Sequence, residues 1–400
     1  MLRCGQSRPD IELPRTLYIV SNLSGAVCAR GPAAGGHLHK KLGLNLALQG
    51  GGVHGAFTWG VLDRLLEDER LEFGWISATS AGAVNAVALA AGLAEGSRQK
   101  AREKLYKVWE SVHKAGVPDL TRLNPFLYGL SQSNSMAQVA SLWSPYEFNP
   151  LGFDPLRRIL SDHVDFDVLR AKPGVRLMIA ATHVATGRAR IFNHDELTID
   201  VVLASSCLPT VHHAVQIDGA AYWDGGFSAN PDLVTLAVDS PIGDTLLVLL
   251  NPLVQDELPT TVRDISNHAN RLTFNAPLLR DVEIIQAVRE TAGTIMPKGR
   301  LAPLARHRFH LIDAGAVTSA LSPETAMKPD WAMMTYLHGA GRDAAETWLT
   351  QSGPGIGKRE TADLPEYFLA SLPGGKKSDA ATSPLKPESS RKTAAAKASK

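Results

Sequence analysis

The sequence predicts an α/β fold in which helices flank a parallel β-sheet. Across residues 44–112, short apolar segments alternate with longer helical patterns, as they do in chains that build such a sheet. Each of the first two predicted strands runs into a helix through a turn of small residues. Of the 400 residues, 44% are apolar and 20% are charged, which is enough apolar material to bury a sizeable core.

The elements of the N-terminal half follow in order. Two strands are predicted at LNLALQ and FGWISAT, two helices at GAFTWGVLDRLLE and AGAVNAVALAAG, and a further helix over residues 98–114. Residues 115–152 break this alternation with four prolines and five aromatic residues. Such a segment suits a lid or an acyl-chain wall over a catalytic edge, and it equally suits a cap that completes the core.

The C-terminal half continues both patterns. Helices are predicted at FDPLRRILSDHV, at TIDVVLASSCLP, over residues 261–291 with a kink at Pro277, and in a closing WAMMTYLHGAGRDAAETWLT. Strands are predicted in GVRLMIAATHVATGRARIFN, as a hairpin in VQIDGAAYWDGGF, and at DTLLVLLNP and RFHLIDAG. We therefore expect a poorly structured extension over 1–39, one folded domain over 40–351 and a disordered tail over 352–400.

Charge and composition argue against a nucleic-acid-binding protein and against a membrane-spanning one. The 41 basic residues nearly balance the 40 acidic ones, so no net field favours nucleic acid. Residues 374–400 are basic, which suits weak peripheral contact with an anionic membrane or polymer surface, or a merely solvated tail. No apolar run reaches the roughly 18 residues of a membrane-spanning helix. A cytoplasmic location is expected, with secretion as the less favoured alternative.

The three cysteines, Cys4, Cys28 and Cys207, are widely spaced and odd in number. They match neither a metal-binding nor a redox pattern, which favours a reducing compartment. Cys207 lies in a predicted helix and is expected to be buried and inert. The sequence also lacks H-E-x-x-H and any Cys/His cluster with ligand spacing, so no metal is expected.

Ser80 lies in A-T-S-A-G, at the turn between the second predicted strand and its helix. A serine hydroxyl becomes a useful nucleophile when a base takes its proton and donors hold the developing oxyanion. A tight strand-to-helix turn would raise the hydroxyl near the positive end of a helix, and its small neighbours Ala78, Ala81 and Gly82 suit such crowding. The alternative is that Ser80 only caps the helix.

Gly50, Gly51 and Gly52 follow the first strand directly, and Gly55 comes three residues later. Consecutive glycines allow several N–H groups to turn toward one anion, which suits an oxyanion hole. The pattern also satisfies the dinucleotide fingerprint G-x-G-x-x-G. That alternative needs a carboxylate at the end of the second strand, and residues 76–80 provide none.

A general base must come from elsewhere in the chain. Asp224 follows a short apolar strand in Y-W-D-G-G-F, although Asp-Gly-Gly is also a common turn. His212 and His213 are the candidates for a conventional Ser-His-Asp triad. His54 is a further residue that could line the site.

Q-G-G-G-V-H-G, A-T-S-A-G and D-G-G, taken in this order, resemble the patatin-like phospholipase family. WSPYEFNPLGFDPLRRIL, LASSCLP and LTFNAPLLRDV resemble a bacterial branch of it, so the resemblance spans roughly residues 42–350. It implies that 40–351 is a three-layer α/β/α acylhydrolase domain with a central, mostly parallel sheet. It also implies hydrolysis of lipid acyl esters without a metal or other cofactor.

The resemblance assigns roles to individual residues. It implies a dyad in which Ser80 is the nucleophile and Asp224 the base. The oxyanion hole would be formed by the backbone of Gly50, Gly51 and Gly52 together with the N–H of Ala81. The remaining motif positions are Gly55, Ala78, Gly82, Gly225 and Gly226. Two positions depart from the family pattern, since Ala78 stands where glycine is usual and His54 where arginine or lysine is frequent.

The expected function is therefore phospholipase A-type hydrolysis through an acyl-enzyme, with a lipid or another acyl ester as the partner. One alternative keeps the dyad and changes the substrate to a small ester or an intracellular storage polyester. A second alternative is a catalytically silent scaffold that binds lipid. Nothing in the sequence predicts an oligomeric state.

Overall fold

The structure is a computed structural model that describes residues 41–115, 144–172, 174–254, 258–293, 298–321 and 323–369. The expected extension over 1–39 lies outside the described residues. So do most of the aromatic segment and the basic residues 374–400.

The strands of the described residues form one mixed sheet in the order β5-β6-β3-β2-β1-β7-β8, with β4 paired to β3. Their bounds are β1 (Leu42–Leu48), β2 (Leu71–Ala78), β3 (Arg176–His183), β4 (Ala189–Asn193), β5 (Val215–Ile217), β6 (Ala220–Asp224), β7 (Asp244–Leu249) and β8 (Arg308–Asp313). β3, β2, β1, β7 and β8 are mutually parallel, while β4 and β6 run antiparallel to β3 and β5 runs antiparallel to β6. The predicted mostly parallel sheet is confirmed.

Helices connect these strands. Their bounds are α1 (Gly55–Glu67), α2 (Ala81–Ala94), α3 (Arg98–Ala115), α4 (Pro145–Phe148), α5 (Pro155–His163), α6 (Phe166–Ala171), α7 (Ile199–Ser205), α8 (Leu233–Asp239), α9 (Val262–Ala292), α10 (Gly315–Thr318), α11 (Trp331–Gln351) and α12 (Leu364–Leu369). The long helix expected over 261–291 is present as α9, and it continues through Pro277.

Alternation along the central strands divides the core into two layers. In β1, Leu44, Leu46 and Leu48 belong to a cluster that includes α1, α2, α3, α7 and α11, whereas Ala47 belongs to a cluster with α8, α9 and α12. Successive side chains of a strand point to opposite faces, so helices cover both faces of the sheet. The three-layer α/β/α fold is confirmed.

The carboxyl edge of the sheet brings two turns together. β1 pairs with β2 on one side, with Leu48 opposite Ala78, and with β7 on the other, with Leu48 opposite Val248. β1 and β2 therefore end side by side, which puts the glycine-rich loop and the Ser80 turn at the same edge. The chain first adds β2 and β3 on one side of β1 and later adds β7 and β8 on the other side. The strand order therefore reverses at β1, and α/β sheets open a ligand-binding crevice at such a switch point.

Two expectations need correction. The fold extends past residue 352, because α12 buries Leu364 and Phe368 against the second layer. Residues 353–363 are rich in glycine and charge, and this composition concealed the two apolar anchors that follow. Cys207 is buried as expected, but it follows α7, which ends at Ser205.

Within the ranges that the structure describes, no helix is both long and apolar enough to cross a membrane.

Candidate active site

Ser80 occupies a strained turn between β2 and α2. Its backbone has φ 54° and ψ −123°, a region that costs a non-glycine residue energy and often marks a functional position. The side chain makes no capping hydrogen bond to α2, so the alternative of a simple helix cap is wrong. The Ser80 N–H donates to Oγ of Ser205 at 2.9 Å, and this bond fixes the turn from the side.

Small residues around Ser80 allow close packing. A Cβ on Gly82 would lie 2.3 Å from the carbonyl oxygen of Leu48, so the start of α2 presses directly on the end of β1. Ala78 is a regular, buried residue of β2 that pairs with Leu48 and Ile179. Its methyl group is therefore accommodated within the strand, and the turn at Ser80 forms although glycine is missing there.

Asp224 ends β6 and is held on several sides. Its N–H donates to the carbonyl of Cys207 at 2.8 Å, and its Oδ1 accepts the N–H of Gly226 at 2.7 Å. The side chain is buried, and its Oδ2 has no hydrogen-bond partner among the described residues. Burial raises the pKa of Asp224 to about 7, while the Gly226 N–H and the Ser80 hydroxyl act in the opposite direction.

Ser80 and Asp224 therefore meet in one site. The Ser80 hydroxyl lies close enough to the carboxylate to lower its pKa, although Oδ2 has no completed hydrogen bond. Catalytic hydrogen bonds are often long in a free enzyme and shorten when substrate binds. A pKa near 7 leaves a large share of Asp224 ionised at neutral pH and ready to accept a proton.

The glycine-rich loop lies directly over Ser80. A Cβ on Gly50 would lie 2.8 Å from the Cβ of Ser80, so only glycine allows this approach. The Gly50 N–H donates to Oδ1 of Asn230 at 2.8 Å and is not free to bind an oxyanion. The expectation that Gly50 is a donor is therefore wrong, because a buried side chain already uses its proton.

Three N–H groups remain for an oxyanion hole. Those of Gly51, Gly52 and Ala81 have no acceptor among the described residues. Gly52 has φ 57°, a conformation that favours glycine. Among the described residues, the loop and the first residue of α2 thus leave donors unpaired on both sides of Ser80, as stabilisation of a tetrahedral intermediate requires.

The family model for patatin-like phospholipases matches residues 46–237, a range that contains Ser80, Asp224 and the glycine-rich loop. This part of the chain belongs to the patatin-like phospholipase family. Membership implies hydrolysis of acyl esters.

Other comparisons add less. No curated protein matches the chain significantly. Among solved structures, the crystal structure of VipD from Legionella pneumophila matches with a TM-score of 0.38 and 15% identity, over 78% of this chain and 67% of that one. A likeness this distant supports no conclusion about fold or function.

Sequence reasoning missed residues that support the patatin-like site. Asn230 connects the loop to the rest of the site, since its Oδ1 accepts from Gly50 and its Nδ2 donates to the carbonyl of Phe274 at 3.1 Å. Thr79, the neighbour of Ser80, donates from Oγ1 to the carbonyl of Ala229 at 2.7 Å. These bonds tie both turns to the segment that follows Asp224. The only sequence signal was the position of Asn230, a short distance after D-G-G.

Asn85 provides a second support beneath the two turns. Its Nδ2 donates to the carbonyls of Gly55 and Ala81 at 3.0 and 3.2 Å, and its Oδ1 accepts from Nε1 of Trp109 at 2.8 Å. One buried amide therefore links the first residues of α1 and α2 to α3.

The histidines expected for a triad lie elsewhere in the patatin-like domain. His213 stacks on Tyr146 with ring centroids 4.1 Å apart, and its Nε2 lies 3.1 Å from the carbonyl of Pro145. His212 and His213 line a separate cavity of about 220 Å³ whose lining includes neither Ser80 nor Asp224. The geometry therefore gives no support to a Ser-His-Asp triad.

His54 is also bonded away from the dyad. Its Nε2 lies 2.8 Å from Oγ1 of Thr325, and burial lowers its pKa, which favours the neutral ring. Among the described residues, no group of three or more His, Cys, Asp or Glu side chains is arranged to hold a metal ion.

Proposed function

We propose that this chain is a serine lipid acylhydrolase that cleaves acyl esters of phospholipids through Ser80 and Asp224. The observation that carries the proposal is the buried Asp224 carboxylate near the Ser80 hydroxyl, which has one oxygen fixed by Gly226 and the other without a partner among the described residues. A carboxylate whose pKa lies close to neutral pH can accept a proton in one step and return it in the next.

In the acylation step, Oγ of Ser80 attacks the ester carbonyl carbon while its proton passes to Asp224. The carbonyl oxygen becomes an oxyanion that would accept from the N–H groups of Gly51, Gly52 and Ala81, since these have no other acceptor among the described residues. The intermediate collapses when the bond to the alcohol breaks, and protonated Asp224 returns the proton to the departing oxygen. The products are an acyl-Ser80 ester and the free alcohol.

In the deacylation step, Asp224 accepts a proton from water while the water oxygen attacks the acyl carbon. Collapse of the second oxyanion breaks the bond to Oγ, and Asp224 returns the proton to Ser80. The fatty acid leaves and both residues regain their starting protonation states. Each oxyanion-hole donor of this kind is worth on the order of 100-fold in kcat or more.

The test combines a covalent probe with a lipid substrate. Wild type and Ser80→Ala are treated with a fluorophosphonate, and fatty-acid release from mixed phospholipid vesicles is measured in parallel. We expect wild type to be labelled and to release fatty acid, and Ser80→Ala to do neither while melting at a similar temperature.

The other outcomes contradict the proposal in different ways. Labelling without release from phospholipid would redirect the substrate to a small ester or a storage polyester. No labelling of wild type would favour the silent lipid-binding scaffold. Labelling that persists in Ser80→Ala would mean that another residue is the nucleophile.

A further inference from the structure

α9 has two halves with different surroundings. From residue 275 onward it packs into the core, where Leu278, Val282 and Ile285 are buried. None of the residues over 262–274 is buried. We call residues 262–274 the α9 arm.

The α9 arm projects beyond the catalytic edge of the sheet. Asn275 is at that edge, because its Nδ2 donates to the carbonyl of Pro252 just after β7. Arg289 is at the opposite edge, where it donates to the carbonyl of His307 just before β8. The arm therefore continues the helix away from the carboxyl edge for about 18 Å of its own length, at 1.5 Å per residue.

The C-terminal end of the arm lies next to the candidate dyad. Phe274, its last residue, lies so close to Gly226 that a Cβ there would be 2.2 Å from the ring. Gly226 is the residue whose N–H holds the Asp224 carboxylate. The C-terminal end of the arm, at Phe274, thus lies at the rim of the site, and the apolar residues before it lie farther along the helix.

One face of the arm is apolar and exposed. Val262, Ile265, Ala269 and Leu272 follow the spacing i, i+3, i+7 and i+10, which puts them within an arc of about 80°. The exposed fractions are 87% for Val262, 51% for Ile265 and 55% for Leu272. We call these four residues the apolar stripe.

The apolar stripe does not continue the core-facing side of the helix. At 100° per residue it lies about 150° around the helix from Leu278, Val282 and Ile285. In the second half of α9, the same side of the helix includes the charged residues Arg280, Glu283 and Glu290. A continuous apolar stripe thus faces solvent on the arm, and packing among the described residues does not account for it.

We propose that the apolar stripe inserts into the surface of the phospholipid bilayer that holds the substrate. The inference rests on the proposed function, because it supposes a substrate embedded in lipid. A bilayer brought to the carboxyl edge of the sheet must also meet an arm that projects from that edge. Insertion removes the stripe from water and anchors the site at the interface.

The small size of the stripe favours lipid over a second protein. Four aliphatic side chains on one helix fall well short of the roughly 800 Å² per partner that a standard protein interface buries.

The test compares vesicle binding of the full-length wild type with that of the full-length double variant I265D/L272D. The matched control is Ile284→Asp, which alters a residue that is 40% exposed in the second half of the same helix. Vesicles of phosphatidylcholine and phosphatidylglycerol are used at 1 M salt, where a Debye length of about 3 Å suppresses binding by the basic tail.

We expect the double variant to lower vesicle partitioning about 100-fold, since each buried aliphatic side chain contributes roughly tenfold. The Ile284→Asp control should bind like wild type, and hydrolysis of a water-soluble ester should be unchanged in both variants. Wild-type partitioning by the double variant, or no vesicle binding by wild type, would overturn the proposal. A wild-type dimer that the double variant converts to monomer would also overturn it, because the stripe would then be a contact between copies.

The two proposals fail separately. If wild type neither reacts with a fluorophosphonate nor cleaves a soluble ester, the hydrolase assignment fails. Loss of vesicle binding in the double variant alone would then still support docking of the stripe on lipid.

Discussion

Asp224 is a buried carboxylate and Asp281 a partly buried one, and desolvation is the main cause that raises the pKa of both to about 7. Asp281 accepts the N–H of Leu233 at 2.8 Å at the start of α8, and the neighbouring Asp232 adds repulsion to its charged form. Asp224 instead lies near the hydroxyl of Ser80 and has one oxygen without a partner among the described residues. A raised pKa therefore does not distinguish a general base from a structural carboxylate. The group that faces the carboxylate does.

The largest expected difference between the two is in turnover. Asp224→Asn should lower kcat/KM for a soluble ester by a factor on the order of 10⁴, because an amide cannot accept the Ser80 proton. Asp281→Asn should stay within about twofold of wild type, since the amide oxygen can still accept from Leu233. Comparable losses in both variants, or retained turnover in Asp224→Asn, would remove the distinction.

Asn230, which lies along the chain between the two carboxylates, should give an intermediate effect. Asn230→Ala releases the Gly50 N–H and loosens the glycine-rich loop, so we expect kcat to fall about 100-fold with little change in KM. The control is Asn251→Ala, which removes a longer, 3.4 Å bond to the Gly50 carbonyl and should cost less. If the control were as slow as Asn230→Ala, the N–H bond would not be the cause.

The pH dependence of turnover should follow Asp224. The base must be ionised, so kcat/KM should rise about tenfold per pH unit below pH 7 and level off above it. A histidine base would give a similar limb, which means that the profile alone does not separate a dyad from a triad. His212→Asn and His213→Asn should keep both rate and limb, and loss of either in one of these variants would favour a triad.

The smallest effect concerns stability. The raised pKa of Asp281 means that the folded state holds its proton more tightly than the unfolded state, so this group lowers stability as pH rises from about 4 to 7. Asp281→Asn should therefore be more stable than wild type at pH 8, by at most about 4 kcal/mol, and nearly equal at pH 4. Urea unfolding at the two pH values measures the difference, and an equal shift at both would exclude the ionisation as its cause.

The parts of the site that depend on residues close together in the sequence could be predicted. Ser80 and the glycine-rich loop each follow a strand, and adjacent parallel strands end at the same edge, so their meeting could be predicted. The partner of the Gly50 N–H could not, because Asn230 is 180 residues away and its burial depends on the packing of α9. The same applies to α12, since Leu364 and Phe368 become core residues only through contact with distant elements.

The backbone conformation of Ser80 makes a serine costly at this position. With φ 54° and ψ −123°, the position lies in a region that turns usually fill with glycine, and a serine there costs roughly 1–3 kcal/mol. A lineage with no use for the hydroxyl would gain stability by drifting to glycine at this position. Serine occupies this position despite that cost, as expected of a residue whose hydroxyl takes part in the chemistry.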